Sequence, residues 1–541
     1  MRTARRLLIS VLAAAALALG AAGGLASAAS EDELFTVAVT AFREASYDAS
    51  ISHLTRFLQQ HPHARNAPEA RQMLGRAYFA MGRYPEALVE LQQALGPPGS
   101  PQTAEILYWV GEALLKSRDH EAARKSFQQV LDQFPTSPYA PFAWYSIAWS
   151  YWDTGRWEEA LSGWQQVVQQ FPDDPLRIEA QFRIGECLVR LDRVAEAIPV
   201  LQAFVSAYPV ATYAPEASYL LGEALVIQHR LEEAIVAYQK AIGVAGDGPW
   251  APRAQSGMGL AYFAMGRYAA SAEVLARCLE RSGRHPQHDE VRFFLARALV
   301  ELGRPAEAIA SFTQLAEQTP DSPWADDALF WRGELWYAQG RLAEAAASFQ
   351  SLLARYPDSP LIGDATSALG WAQRQMGDLD AALHSFQRAA ATDTTSDQRA
   401  GALAQAGDLL LQRHADEAAV AQFDRLLTEY GDSRSADYAQ YQLGRALARL
   451  GRLDAAQLAF EALLSRFPTS RLRYQAMFQC GLVDLQRGQA LAARERFEAI
   501  LRAPEASAPL QREARHHLGI SLSRLERAQD AVARRAGEGA R

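Results

Sequence analysis

The chain has 541 residues, is 49% hydrophobic and carries a formal net charge of −8. The acidic balance excludes the basic footprint that nucleic-acid binding requires, and three cysteines in so long a chain exclude a disulfide scaffold. Length alone corresponds to about three or four domains, yet no Pro/Gly/Ser linker, charge block or low-complexity tract divides the body.

The first element in chain order is a leader. Arg2, Arg5 and Arg6 precede the apolar run Leu7–Leu19, and Ala26-Ser27-Ala28 forms an A-x-A site before Glu31. This is the layout of a secretory signal over residues 1–28, with cleavage expected after Ala28. No later segment reaches the roughly 18 uncharged apolar residues of a membrane span. The lipoprotein route is closed because no cysteine lies near the cleavage site. The mature chain is expected to be exported and soluble, and losing the three leader arginines takes its charge from −8 to −11.

From there one pattern repeats. A phase marker recurs about every 37 residues, at Ala45, Gly82, Arg118, Gly155, Asp192, His229, Gly266, Gly303, Gly340, Gly377, His414, Gly451, Gly488 and Glu526. Seven residues before it stands Gly or Ala in every copy, five after it a small residue, and nine after it a large apolar one such as Phe127, Trp164, Tyr238 or Phe460. Seventeen after it Pro recurs, at Pro62, Pro135, Pro172, Pro209, Pro320, Pro357 and Pro468.

The pattern predicts two antiparallel helices per copy. Apolar residues fall at helical spacing on both sides of the marker, and the marker supplies the positive φ of the turn between them. A mid-helix Gly costs about 1 kcal/mol against Ala, so its recurrence implies a close backbone approach, with the small column after the marker as the expected partner. The Pro ends the second helix. Ser137-Pro138, Ser322-Pro323 and Ser359-Pro360 suit the N-cap and first turn of the next helix.

Trp144, Ile147, Ala148, Tyr151, Ala160, Trp164 and Pro172 stand at the spacing W-x2-L-G-x2-Y, A-x3-F and Pro, which resembles the tetratricopeptide repeat (TPR). The resemblance covers about residues 31–535 in some fourteen copies and implies an all-α, right-handed superhelical solenoid, continuous over 29–535, with a disordered tail at 536–541. The longer repeat, extended in its F/Y-P-D-S-P connections, is similar to the bacterial envelope subgroup that includes the outer-membrane-assembly lipoprotein BamD and the TPR domain of the Tol-Pal coordinator CpoB. BamD-like proteins carry a lipidated cysteine that this chain lacks, and CpoB a coiled coil before fewer repeats. Arg534 and Arg535 fall where the apolar column should continue, as the polar cap of a stacked array requires.

Enzyme motifs are missing: there is no G-x-x-x-x-G-K-[ST], G-x-S-x-G, H-E-x-x-H or C-x-x-C. Cys278, His285, His288, Asp289 and Glu290 form the nearest metal-like group, but Cys278 lies in a core register and the histidines in a polar connection. Cys187, Cys278 and Cys480 belong to separate copies and read as buried thiols. No cofactor, metal or catalytic residue is expected.

The first helix of each pair should line a concave face, which in TPR proteins typically holds an extended peptide or a partner helix. Residues ten, six and three before the marker point there: Tyr108, Glu112 and Leu115; Tyr145, Trp149 and Trp152; Phe182, Glu186 and Val189; Tyr219, Glu223 and Val226. Phe330, Glu334 and Tyr337, with Trp371 in the next copy, form a second candidate. Aromatics ten before the marker recur in many copies, which also fits packing between repeats. Two functions follow as expectations. The first is a non-enzymatic periplasmic scaffold for segments of other envelope proteins, in envelope assembly, cell-wall synthesis or secretion, meeting the outer membrane only through partners. The alternative is a glycan-binding component of a polysaccharide export system, since aromatics beside carboxylates also suit sugar rings.

Overall fold

The computed structural model describes residues 31–96, 100–246, 248–281, 287–392 and 394–538; the leader expected at 1–28 lies outside them. The described residues form 27 helices and no strand. They group into two compact units that divide between Ala261 and Tyr262. Within each unit helices pack on their neighbours in sequence, and the first helices of consecutive hairpins touch more lightly, so each hairpin is held by its immediate neighbours.

The hairpins turn where the phase predicts. Ala45, Arg118, Asp192, His229 and His414 have positive φ, as do Gly82, Gly155, Gly266, Gly303, Gly340, Gly377, Gly451 and Gly488. Helix Ala140–Asp153 shows the geometry: the N–H of Gly155 donates to Trp152 O (3.0 Å) and that of Arg156 to Tyr151 O (2.9 Å), satisfying carbonyls the helix end leaves open. Helix Trp157–Gln170 follows and stops before Pro172, where no N–H is available to continue it.

Three local expectations are corrected. The recurring Gly meets the large residue nine after the marker, and the small column is not its main neighbour. A Cβ on Gly111 would lie 2.5 Å from the Phe127 ring, and one on Gly222 2.5 Å from the Tyr238 ring. The glycine thus leaves room for the large side chain nine after the marker to lie against the first helix. Ser137, Ser322 and Ser359 are not N-caps; each hydroxyl accepts the N–H two residues on, at 3.2, 3.3 and 3.1 Å. The helices begin further along, at Ala140, Ala325 and Ile362, after a turn in which the serine carbonyl accepts the N–H three residues on, at 2.9, 3.1 and 3.2 Å.

The fourteenth copy is not a hairpin but a single helix, Ala508–Glu538, running past the boundary expected at 535, with 539–541 outside the described residues. Glu526 takes no positive φ. Arg535 stands where the other copies place a large apolar residue, and a Cβ on Gly519 would meet nothing within 4 Å. Folding back would bury nothing here, so the chain keeps its helical bonds.

Candidate clefts on the first-helix face

The aromatic stripe of the fourth hairpin converges on one ring. Trp164, fully buried, has the rings of Tyr145, Trp149 and Trp152 around it at centroid distances of 6.4, 5.8 and 5.6 Å. The next hairpin covers this cluster with cations: the Arg183 guanidinium lies 4.7 Å from the Trp149 ring and that of Arg190 5.4 Å from the Trp152 ring. Trp149 and Trp152 are therefore packing residues first, and each keeps part of its surface exposed.

The fifth and sixth hairpins spend their predicted groove residues internally. Phe182 is fully buried and stacks on Tyr213 at 4.9 Å and 10°, so it offers no surface to a partner. Glu186 pairs with Arg183 at 2.7 Å. Tyr219 packs on Tyr238 and on Trp250, 6.0 and 5.4 Å away, and Glu223 accepts the hydrogen bond of the buried Tyr238 hydroxyl.

Two open clefts lie on this face among the described residues, one in each unit. The first is a cleft of about 490 Å³ lined by Tyr108, Glu112, Leu115 and Lys116 of helix Pro101–Lys116, Phe142, Tyr145, Ser146, Trp149 and Asp153 of the next hairpin, and Leu176. Ser146 donates to Glu112 at 2.5 Å. Burial pushes the Glu112 carboxyl up, against the opposing pull of Ser146, Lys116 and Tyr108, and burial with the Glu112 charge pushes the Tyr108 phenol up.

The second cleft, about 480 Å³, is lined by Phe330, Glu334 and Tyr337 of helix Ala325–Ala338 and by Asp364, Ala368 and Trp371 of helix Ile362–Met376. Trp371 is 40% exposed and meets Phe386 edge-on at 5.6 Å. The Tyr337 hydroxyl accepts from Gln375 Nε2 at 2.7 Å. Burial, then the charge of Asp364, push the Glu334 carboxyl up.

Sequence reasoning missed Phe142 and Asp364, which stand at one repeat position, thirteen before their markers. It also missed how one hairpin caps the rings of the hairpin before it. Sixteen before the marker, Tyr139, Tyr213, Trp250 and Trp324 lay rings on Tyr108, Phe182, Tyr219 and Phe293 of the preceding hairpin, at 5.4, 4.9, 5.4 and 4.8 Å. After Tyr145 and Phe330 that column holds Leu176 and Leu361 instead. A leucine covers less of the ring before it, so Phe330 in the second cleft lacks the cap that Phe293 has, whereas Tyr108 lines the first cleft although Tyr139 packs on it.

Among the described residues the metal-like group does not assemble. Cys278 is buried with Leu275 and Val291, His285 lies outside the described residues, and no group of three or more His, Cys, Asp or Glu among the described residues could hold a metal ion. Burial pushes the Cys187 and Cys480 thiols up to about 12, which disfavours the reactive thiolate.

Glu112 gives a signed pH prediction. Its folded-state pKa is raised, so the stability supplied by its protonated form is complete below the ordinary carboxylate range and is lost as pH rises through the raised value. Glu112→Gln, which does not titrate, should melt higher than wild type at pH 7.5, with the gap closing towards pH 4. Thermal melts followed by circular dichroism check this, and a gap that widens on acidification would reverse the assignment.

Comparison with known proteins finds the same kind of repeat along most of the chain. Residues 99–249 match a tetratricopeptide repeat-like domain, and 41–97, 257–323, 326–395, 367–434 and 438–470 match tetratricopeptide repeats. The comparison with curated proteins gave no match. Among solved structures, MamA from Desulfovibrio magneticus RS-1 is 22% identical, covering 34% of this chain and 97% of its own, with a TM-score of 0.29. A tetratricopeptide repeat protein from Parabacteroides merdae is 16% identical over 50% of this chain and 99% of its own, TM-score 0.34. YrrB, described as a TPR protein with an unusual peptide-binding site, is 21% identical over 35% and 91%, TM-score 0.30. With its turns at the predicted markers and repeat matches along most of its length, this chain belongs to the tetratricopeptide repeat proteins.

Proposed function

We propose that the protein is a non-catalytic scaffold of the bacterial envelope, which holds segments of other envelope proteins in clefts on the first-helix face. The observation that carries the reading is the pair of open clefts. Both lie between consecutive first helices and both combine aromatic walls with carboxylates, and in the second Leu361 stands where Trp324 caps Phe293 in the preceding pair. Concave, mostly apolar sites with a few placed polar groups are where ligands are held. Export to the periplasm is supported by the basic start, apolar run and A-x-A site of the leader. An envelope role, near the outer membrane through partners, is supported by the long-repeat resemblance to the BamD and CpoB subgroup.

Leu361→Trp tests the reading without deleting any lining residue. The new ring should cover Phe330 as Trp324 covers Phe293 at 4.8 Å and fill the second cleft. Affinity capture from envelope extract should yield a protein with wild type that Leu361→Trp loses, at equal helicity. Glycan in the eluate, removed by the same substitution, would favour the polysaccharide-export alternative, for which the exposed Trp371 face beside two acids is the supporting feature. Identical captures from both chains would remove the cleft from consideration.

A further inference from the structure

The second cleft has one sign of charge. Its lining contains two carboxylates, Glu334 and Asp364, three aromatic rings and Ala368, with no basic side chain. Asp364 accepts a neutral amide from Gln398 at 2.5 Å, and among the described residues neither acid has a cation within ion-pair distance. Arg374 packs at 5.5 Å from the Trp371 ring but directs its Nη1 to Gln405 at 2.5 Å. The first cleft differs at this point: Lys116 lines it beside Glu112, and Ser146 donates to that acid.

Two like charges held in a partly desolvated cleft without a counter-charge are unfavourable, and the Glu334 carboxyl registers this in its raised pKa. A cation placed between them would relieve the repulsion and meet the electron-rich faces of Tyr337 and Trp371. The occupant is not a bare metal ion, because the cleft lacks three convergent ligands. A planar guanidinium suits it better than an ammonium, since it can stack on an indole while its fork bonds carboxylates. We propose that the cleft between helices Ala325–Ala338 and Ile362–Met376 receives an arginine side chain of a partner polypeptide. This rests on the scaffold reading and adds the chemistry of the residue recognised.

The test begins with a displayed library of random peptides selected on the full chain. Fluorescence anisotropy then compares the tightest peptide with its citrulline counterpart, which keeps the shape and removes the charge, on wild type and on Glu334→Gln/Asp364→Asn. Arginine should be enriched in the selected pool. Citrulline should weaken binding to wild type at least about tenfold, as loss of a charge-assisted bidentate contact does, and the double variant should bind the two peptides alike. The citrulline exchange changes only the ligand, so it decides the matter independently of how well the double variant folds. Selected peptides without basic residues that still compete with Leu361→Trp-sensitive binding, or an equal citrulline penalty on both proteins, would overturn the arginine assignment and leave the scaffold reading standing. A chain that selects no peptide would overturn both.

Discussion

Trp164→Ala should destabilise the first unit by about 3–5 kcal/mol, the range for removing a fully buried large aromatic. Trp164 has no exposed surface and is the common neighbour of Tyr145, Trp149 and Trp152. The loss therefore includes its own burial and the support of three rings. Collapse into the cavity is opposed because Arg183, which covers Trp149, is itself fixed by Glu186 at 2.7 Å and by the Phe182 and Tyr213 rings at 5.1 and 5.3 Å. Urea unfolding should show the cost, and hydrogen exchange should place it. Protection should fall over 140–207 and persist over 396–502, because each hairpin packs on its immediate neighbours. Trp164→Phe should recover most of the loss: Phe occupies this column in most second-unit hairpins, and the Trp164 Nε1 it removes is buried without a hydrogen-bond partner. An unchanged unfolding midpoint for Trp164→Ala would mean that the stripe rests on something other than this ring.

The turns were readable from sequence because a two-helix repeat must reverse direction at one residue, and every predicted marker from Ala45 to Gly488 adopts positive φ. Non-glycine markers such as Arg118 and His414 were reached by spacing alone. The clefts were only half readable. Tyr108, Glu112, Tyr145 and Trp149 share one, and Phe330, Glu334, Tyr337 and Trp371 share the other, as the face assignment implies. Yet Phe182 has the same repeat position as Phe330 and is buried under Tyr213. A residue's place on its own helix fixes the face it points to. Whether that face is covered depends on a residue from the next hairpin, about thirty positions away, and single-helix periodicity carries no information about it. The fourteenth copy failed for a related reason: the spacing continues, but the ring that makes folding back worthwhile has become Arg535.

The glycine column offers a prediction whose sign changes along one chain. Gly444 lies in helix Ala436–Arg449, and a Cβ there would stand 2.5, 2.7 and 2.7 Å from three atoms of the Phe460 ring. Phe460 is fully buried in a cluster with Ala439, Leu443 and Leu463, so it has no free volume to enter. Gly444→Leu should destabilise by about 1–3 kcal/mol through overpacking. The roughly 1 kcal/mol that glycine replacement returns in helix propensity cannot offset the displacement of a rigid ring. Peptide binding at the 330–371 cleft should survive under native conditions, because Gly444 and Phe460 belong to a different hairpin. Gly519 occupies the same repeat position in the last helix, where it is exposed and a Cβ meets nothing within 4 Å. There Gly519→Ala should stabilise by up to about 1 kcal/mol. Thermal and urea unfolding of the two variants beside wild type measures both. Opposite shifts would establish that the column is glycine because a ring sits on it, whereas a neutral Gly444→Leu would show that the Phe460 contact can yield.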